Sequence, residues 1–181
     1  MKLTRNITIG RPMFFMVAVV TALAICSPSF FRVLGANSPP QVKLNADGIA
    51  PRSIEELTGR NVTRDYAYAW RDLAIASQSN RADLLNDYFT GFAKDNFTQR
   101  IADQQRTGVT IRYTDHGHSV KAFFYSPDGG EMQLLDNAQL DIAILDGGKV
   151  VHQENVSQRY LVLMTPGADR WFVRSLTPAA K

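Results

Sequence analysis

QQRTGVTIRYTDHGHSVKAFF, residues 104–124, holds the change of period that decides the fold. Before Gly108, apolar residues recur every three or four positions, the spacing of a helix face. After it, Val109, Ile111 and Tyr113, then Val120, Ala122 and Phe124, alternate with polar residues, the spacing of strands. Asp115-His116-Gly117-His118 reads as the turn between two such strands.

Working back from Gly108, the pattern predicts three helices. The first follows a cap at Asn61 or Thr63 and turns Tyr66, Trp70, Leu73 and Ala74 inward. Ser77 to Asn80 breaks it. A short second helix runs from Asp83 to Phe89, and a third from about Phe92 to Arg106, with Phe92, Phe97 and Ile101 on its core side. Working forward, strands are expected over Met132–Leu145 and Val150–Met164, joined by the turn Asp146-Gly147-Gly148-Lys149. The second should bend near Asn155 to Gln158. A last strand, Trp171–Leu176, follows Pro166-Gly167-Ala168-Asp169. Helices first and a meander of strands second make the class α+β, three helices packed on a curved antiparallel sheet.

Pro12 to Phe31 carries no charge over twenty residues, enough to cross a bilayer as one helix. Lys2, Arg5 and Arg11 precede it, so the amino terminus is expected in the cytoplasm and the rest outside. A cleaved signal peptide is the competing reading, with small residues at Ala22-Leu23-Ala24 and Leu34-Gly35-Ala36. Leu23-Ala24-Ile25-Cys26 touches the bacterial lipoprotein pattern, although Ile25 stands where a small residue is wanted. The chain thus divides into a leader and anchor, 1–36, a Pro-, Asn- and Ser-rich tether, 37–53, and a domain, 54–181.

The formal charge of +3 belongs to the leader: residues 1–36 hold four basic groups and no acids, leaving sixteen basic against seventeen acidic, or −1. A nucleic-acid partner is not expected of a folded part without a basic patch. The single cysteine, Cys26, lies in the apolar segment, so the exported domain rests on its core and not on disulfides. Asn61, Asn96 and Asn155 begin glycosylation triplets, which arise often by chance.

The aromatic-rich first helix (Tyr66, Tyr68, Trp70), the short Leu84-Leu85-Asn86-Asp87-Tyr88-Phe89 helix and the terminal hairpin through Tyr160-Leu161-Val162 and Trp171-Phe172-Val173 resemble the nuclear transport factor 2-like superfamily. That resemblance, over roughly residues 61–178, implies a cone-shaped fold shared with ketosteroid isomerases and polyketide cyclases. With an amino-terminal anchor the chain is more similar to membrane-tethered, non-catalytic branches, which implies scaffolding or assembly of an envelope complex. Fold alone does not fix function.

Isomerase chemistry needs a carboxylate base in an apolar cavity and an oxyanion donor. Asp141, between Leu140 and Ile142, is the candidate base, with Tyr113 or Tyr125 as donor and His152 and Glu154 on the next strand. Asp141 also fits plain polar-out, apolar-in alternation, the blander reading. Asp115, His116 and His118 are the metal-capable cluster, read more plainly as a solvated turn. No sequence motif calls for a cofactor. Trp70 and Trp171 are expected to fill the core or line a pocket. The final hairpin is apolar on both faces, which predicts an interaction surface at Tyr160, Val162, Met164 and Phe172, covered by the tether, by another envelope protein or by a second copy of the chain.

Overall fold

The computed structural model describes residues 38–179. Its elements are strands β1 (Val42–Asn45) and β2 (Ala50–Pro51), helix α1 (Glu56–Ser79), a 3₁₀ helix (Ala82–Asp87), helix α2 (Gly91–Thr107), and strands β3 (Val109–Tyr125), β4 (Met132–Asp146), β5 (Lys149–Pro166) and β6 (Trp171–Pro178). The order β1-β3-β4-β5-β6, with β2 also beside β3, makes one six-stranded sheet. The α+β class and the antiparallel meander β3 to β6 stand as expected. The sheet is nonetheless mixed, because β1 and β2 pair with β3 in parallel. Among the described residues no helix is long and apolar enough to cross a membrane, and Pro12–Phe31 lies outside them.

Several expectations are corrected. The Asp115–His118 turn does not exist: β3 runs through it, with a bulge between Asp115 and Gly117 that takes up one residue without ending the ladder. Gly117 is what the bulge requires, since its φ of +125° would strain any residue with a side chain. The segment 37–53 is not wholly a tether, because Val42–Asn45 and Ala50–Pro51 complete the edge of the sheet. α1 starts at Glu56, five residues before Asn61, without a side-chain cap. The middle helix is a 3₁₀ turn, and β5 shifts register near Val151 and between Leu163 and Met164, not near Asn155 to Gln158.

The core lies between the helices and one face of the sheet. Tyr66, Trp70 and Leu73 of α1 and Phe97 and Ile101 of α2 meet Val120, Leu134, Leu140, Val162, Met164 and Val173. Phe92 is not part of it; the first turn of α2 leaves it 79% exposed. Asn80 ends α1 in the left-handed region (φ 54°) and ties three elements together. Its amide donates to the Val109 carbonyl (3.0 Å), and it accepts from Gln104 (2.7 Å) and Gln105 (2.7 Å) of α2.

Leu134 is fully buried, so Leu134→Ala should cost about 2–5 kcal/mol in chemical denaturation. Phe92→Ser should stay within about 0.5 kcal/mol. Equal losses at both positions would contradict this placement of the core.

Candidate functional site

The β3 bulge sends its two histidines to opposite faces. His118 turns inward and His116 outward, so the candidate metal set Asp115, His116 and His118 is split. His118 places Nδ1 2.7 Å from Asp136 Oδ2 and Nε2 2.7 Å from Asp115 Oδ2. Tyr66 Oη donates to the same Asp136 oxygen (2.7 Å). An ionised carboxylate can only accept, so with Asp115 and Asp136 both ionised the two ring nitrogens carry hydrogen and the ring is an imidazolium. Burial pulls its pKa down, but the hydrogen bonds and charges of Asp115 and Asp136 outweigh that and raise it to about 9. Trp70 lies over the ring at 4.6 Å and Tyr66 meets it edge-on at 5.8 Å, so π-systems also face the cation. Burial, then the charge of Asp136, pushes the Tyr66 phenol well above its ordinary value.

This cluster is closed. Tyr66, Trp70, His118 and Asp136 are each at most 4% exposed. Two buried atoms in it lack hydrogen-bond partners, Trp70 Nε1 and Asp136 Oδ1. Open clefts lie elsewhere: about 580 Å³ around Phe124 and Ser126–Glu131, and about 470 Å³ between Leu44, Ile54 and the first turns of α1. Neither is lined by the histidine cluster. With both ring nitrogens already hydrogen-bonded, His118 has no lone pair to accept a substrate proton. The arrangement fastens α1 to β3 and β4.

The isomerase set is not assembled. Asp141 lies on the outer face, accepting from Asn155 Nδ2 (2.7 Å) and 2.9 Å from His116 Nε2. His116, then Asn155, holds its carboxyl below the usual range. Tyr113 faces inward, where burial raises its phenol. Tyr125 is buried beside Trp171 (6.2 Å) under the guanidinium of Arg52. His152 is exposed, 3.9 Å from Glu154, at the far end of β5.

The expected interaction surface is half inverted. Val162 (1% exposed) and Met164 (0%) are core residues, and Tyr160 is half-buried against Trp70 (5.6 Å). Trp70 and Trp171 are both core. Of the four, only Phe172 faces away from the helices. The outer apolar set is Phe124, Leu135, Leu161 and Leu163 with Phe172, in neighbouring rows of β3 to β6. Leu161 is 45% exposed. Tyr160, Val162 and Met164 alternate without interruption along β5 and pair with Asp136, Leu134 and Met132, the inward row of β4, while the extra residue Arg174 on β6 puts Val173 and not Phe172 on their side.

Two residues that carry this site escaped the sequence reading. Asp136 stands in phase with Met132, Leu134, Ala138 and Leu140, and a carboxylate in an apolar register was the available signal. Asp65, 1% exposed, accepts from the Trp171 backbone N–H (2.8 Å) and pairs with Arg64 (2.8 Å), fixing β6 to α1.

No family model matches the chain, and no curated protein matches its sequence. The fold is shared with the intermembrane space region of the chloroplast protein ARC6: TM-score 0.61, 15% identity, 72% of this chain and 100% of that one. Aln2 from a Streptomyces species gives a TM-score of 0.45 at 13% identity, over 70% of this chain and 93% of that one; nothing is argued from that level of likeness.

The folded His118 pKa lies above the unfolded 6.5, so its contribution to stability is complete below about pH 6.5 and lost as pH rises through about 9. Denaturation across that range should show the loss, and His118→Gln should be less stable with that step absent. A variant with the same step would assign it to another group.

Proposed function

We propose that this protein is a non-catalytic interaction domain of nuclear transport factor 2-like type. In this reading Pro12–Phe31 holds it in a cell membrane, with the amino terminus cytoplasmic and the folded part outside. It works by pairing with a second copy, or with other envelope proteins, through the outer face of its sheet. No cofactor is assigned to it.

One observation carries the reading: the interior is filled while an apolar patch faces outward. The Tyr66–Asp136–His118 cluster, with Asp115 at its partly exposed edge, fills the interior between α1 and the sheet. Phe124, Leu135, Leu161, Leu163 and Phe172 then lie together on the uncovered side, with Phe123 (42% exposed) beside them. Contiguous apolar surface of this kind marks association sites more often than it marks nothing. The fold shared with an intermembrane-space region is compatible with an envelope setting, as analogy only.

Leu161→Cys in a Cys26→Ser background should give a disulfide-linked dimer on mild oxidation of membranes holding the full chain. Gln99→Cys, exposed on α2, should not. Crosslinking at neither position, or equally at both, would count against pairing through the sheet.

A second reading rests on the unpartnered Trp70 Nε1 and Asp136 Oδ1. A small polar ligand reaching the interior would satisfy both atoms, as a ketosteroid-isomerase-like or polyketide-cyclase-like protein requires. Ligand-dependent thermal stabilisation that Asp136→Asn removes would favour it over the interaction domain.

A further inference from the structure

The sheet has two unlike ends, and the chain enters from one of them. β1 runs parallel to β3, with Val42 beside His118, and the Gln41 carbonyl accepts from the His118 N–H (2.9 Å). Read backwards from Val42, β1 is therefore directed toward the Val109 end of the sheet. That end carries the β4–β5 hairpin tip, where Asp146 pairs with both Val109 and Lys149. Gly147 (φ +53°) and Gly148 (φ +80°) form its turn, and the left-handed values suit a two-residue hairpin.

Just behind the turn, Val150 and Val151 are 47% and 62% exposed. Leu145 pairs with Val150 and Ile144 with His152, so Val151 is the extra, outward-turned residue of a bulge. The other large apolar side chains found exposed among the described residues, Leu57, Phe92, Phe123 and Leu161, do not lie at this tip. Leu57 and Phe92 begin the helices whose ends lie near Val109, and Phe123 is at the opposite end of β3.

The lengths fit a membrane contact. Gln41 lies level with Gly117, eight residues from Val109 along β3, so the tip stands about 25 Å beyond it at the usual strand rise. Ten residue steps lead from Phe31 to Gln41, a reach of at most about 35 Å. A bilayer holding Pro12–Phe31 is thus within reach of the tip, and little slack is left to lift the domain away. Lys149, exposed beside the two valines and across the turn from Asp146, gives the tip a cation for phosphate headgroups.

We propose that the hairpin tip, with Val150, Val151 and Lys149 leading, rests in the headgroup layer of the membrane that holds the amino-terminal segment. The inference depends on the membrane-anchor reading of Pro12–Phe31. It sets the domain's orientation: the strands stand up from the bilayer, and the apolar outer face of the sheet looks sideways along it.

The test uses the full chain with Cys26→Ser, reconstituted into vesicles of phosphatidylcholine and phosphatidylglycerol. A polarity-sensitive fluorophore is placed at Val151→Cys or, for comparison, at Ala168→Cys in the exposed turn at the other end. The Val151 label should shift to the blue and lose most of its emission to nitroxide-bearing lipids, while the Ala168 label does neither. With the label moved to Lys149→Cys, the pair Val150→Asp and Val151→Asp should remove the quenching. If the protein floats with the vesicles and resists carbonate but both labels remain unquenched, the tip contact is wrong and the anchor reading survives. A blue-shifted Val151 label that lipid nitroxides leave bright means a protein covers the tip, which also overturns the proposal. If the chain does not float with vesicles, the anchor reading falls and the inference falls with it.

Discussion

A charged imidazole held between two carboxylates inside the core is the constraint from which the rest of the structure follows. His118 reaches the interior only because β3 bulges at His116, and the bulge holds residue 117 at a positive φ that glycine adopts without strain. The buried ring needs both Asp115 and Asp136, since an imidazolium with one partner removed would be costly to keep from water. Asp136 in turn needs the Tyr66 hydroxyl, and Trp70 closes over the ring. Helix α1 is therefore fastened to β3 and β4 by polar bonds as well as by apolar burial. Packing of this kind specifies where the helix sits, which apolar contact alone specifies less sharply.

Much of this was legible in the sequence. The change of period at Gly108 separates helices from strands, and the long β4 and β5 ladders follow their alternation closely. The inward aromatic face of α1 reads correctly from Tyr66, Trp70 and Leu73. What did not read was whatever depends on a partner distant in sequence. Gly117 between two histidines looks like a turn, because a bulge and a turn use the same residue and differ only in what lies across the ladder. Val42–Asn45 carries too short a pattern to announce a strand, and β3 supplies its order. Val162 and Met164 were given to the wrong face because both sets of β5 are apolar, and only their pairing with Leu134 and Met132 decides between them.

The same features bear on how the protein works. In the reading proposed above, a filled interior leaves the outside of the molecule as its working part. The exterior is not uniform: one end of the outer sheet face is apolar around Leu161 and Leu163, and the other is polar around Gln139, Asp141, Asn155 and Ser157. Because β1 is laid against β3, any load on the amino-terminal segment reaches the sheet at Gln41 and His118, beside the buried ion cluster.

Nitrogen-15 NMR of the three histidines in the full chain at neutral pH tests the central claim most directly. The account predicts one imidazole with both ring nitrogens protonated, bonded to carboxylates, and ring N–H protons that exchange slowly with water. If every histidine were neutral at that pH, or exchanged freely with solvent, the interior would be open. The case for a domain that works only through its surface would then fail.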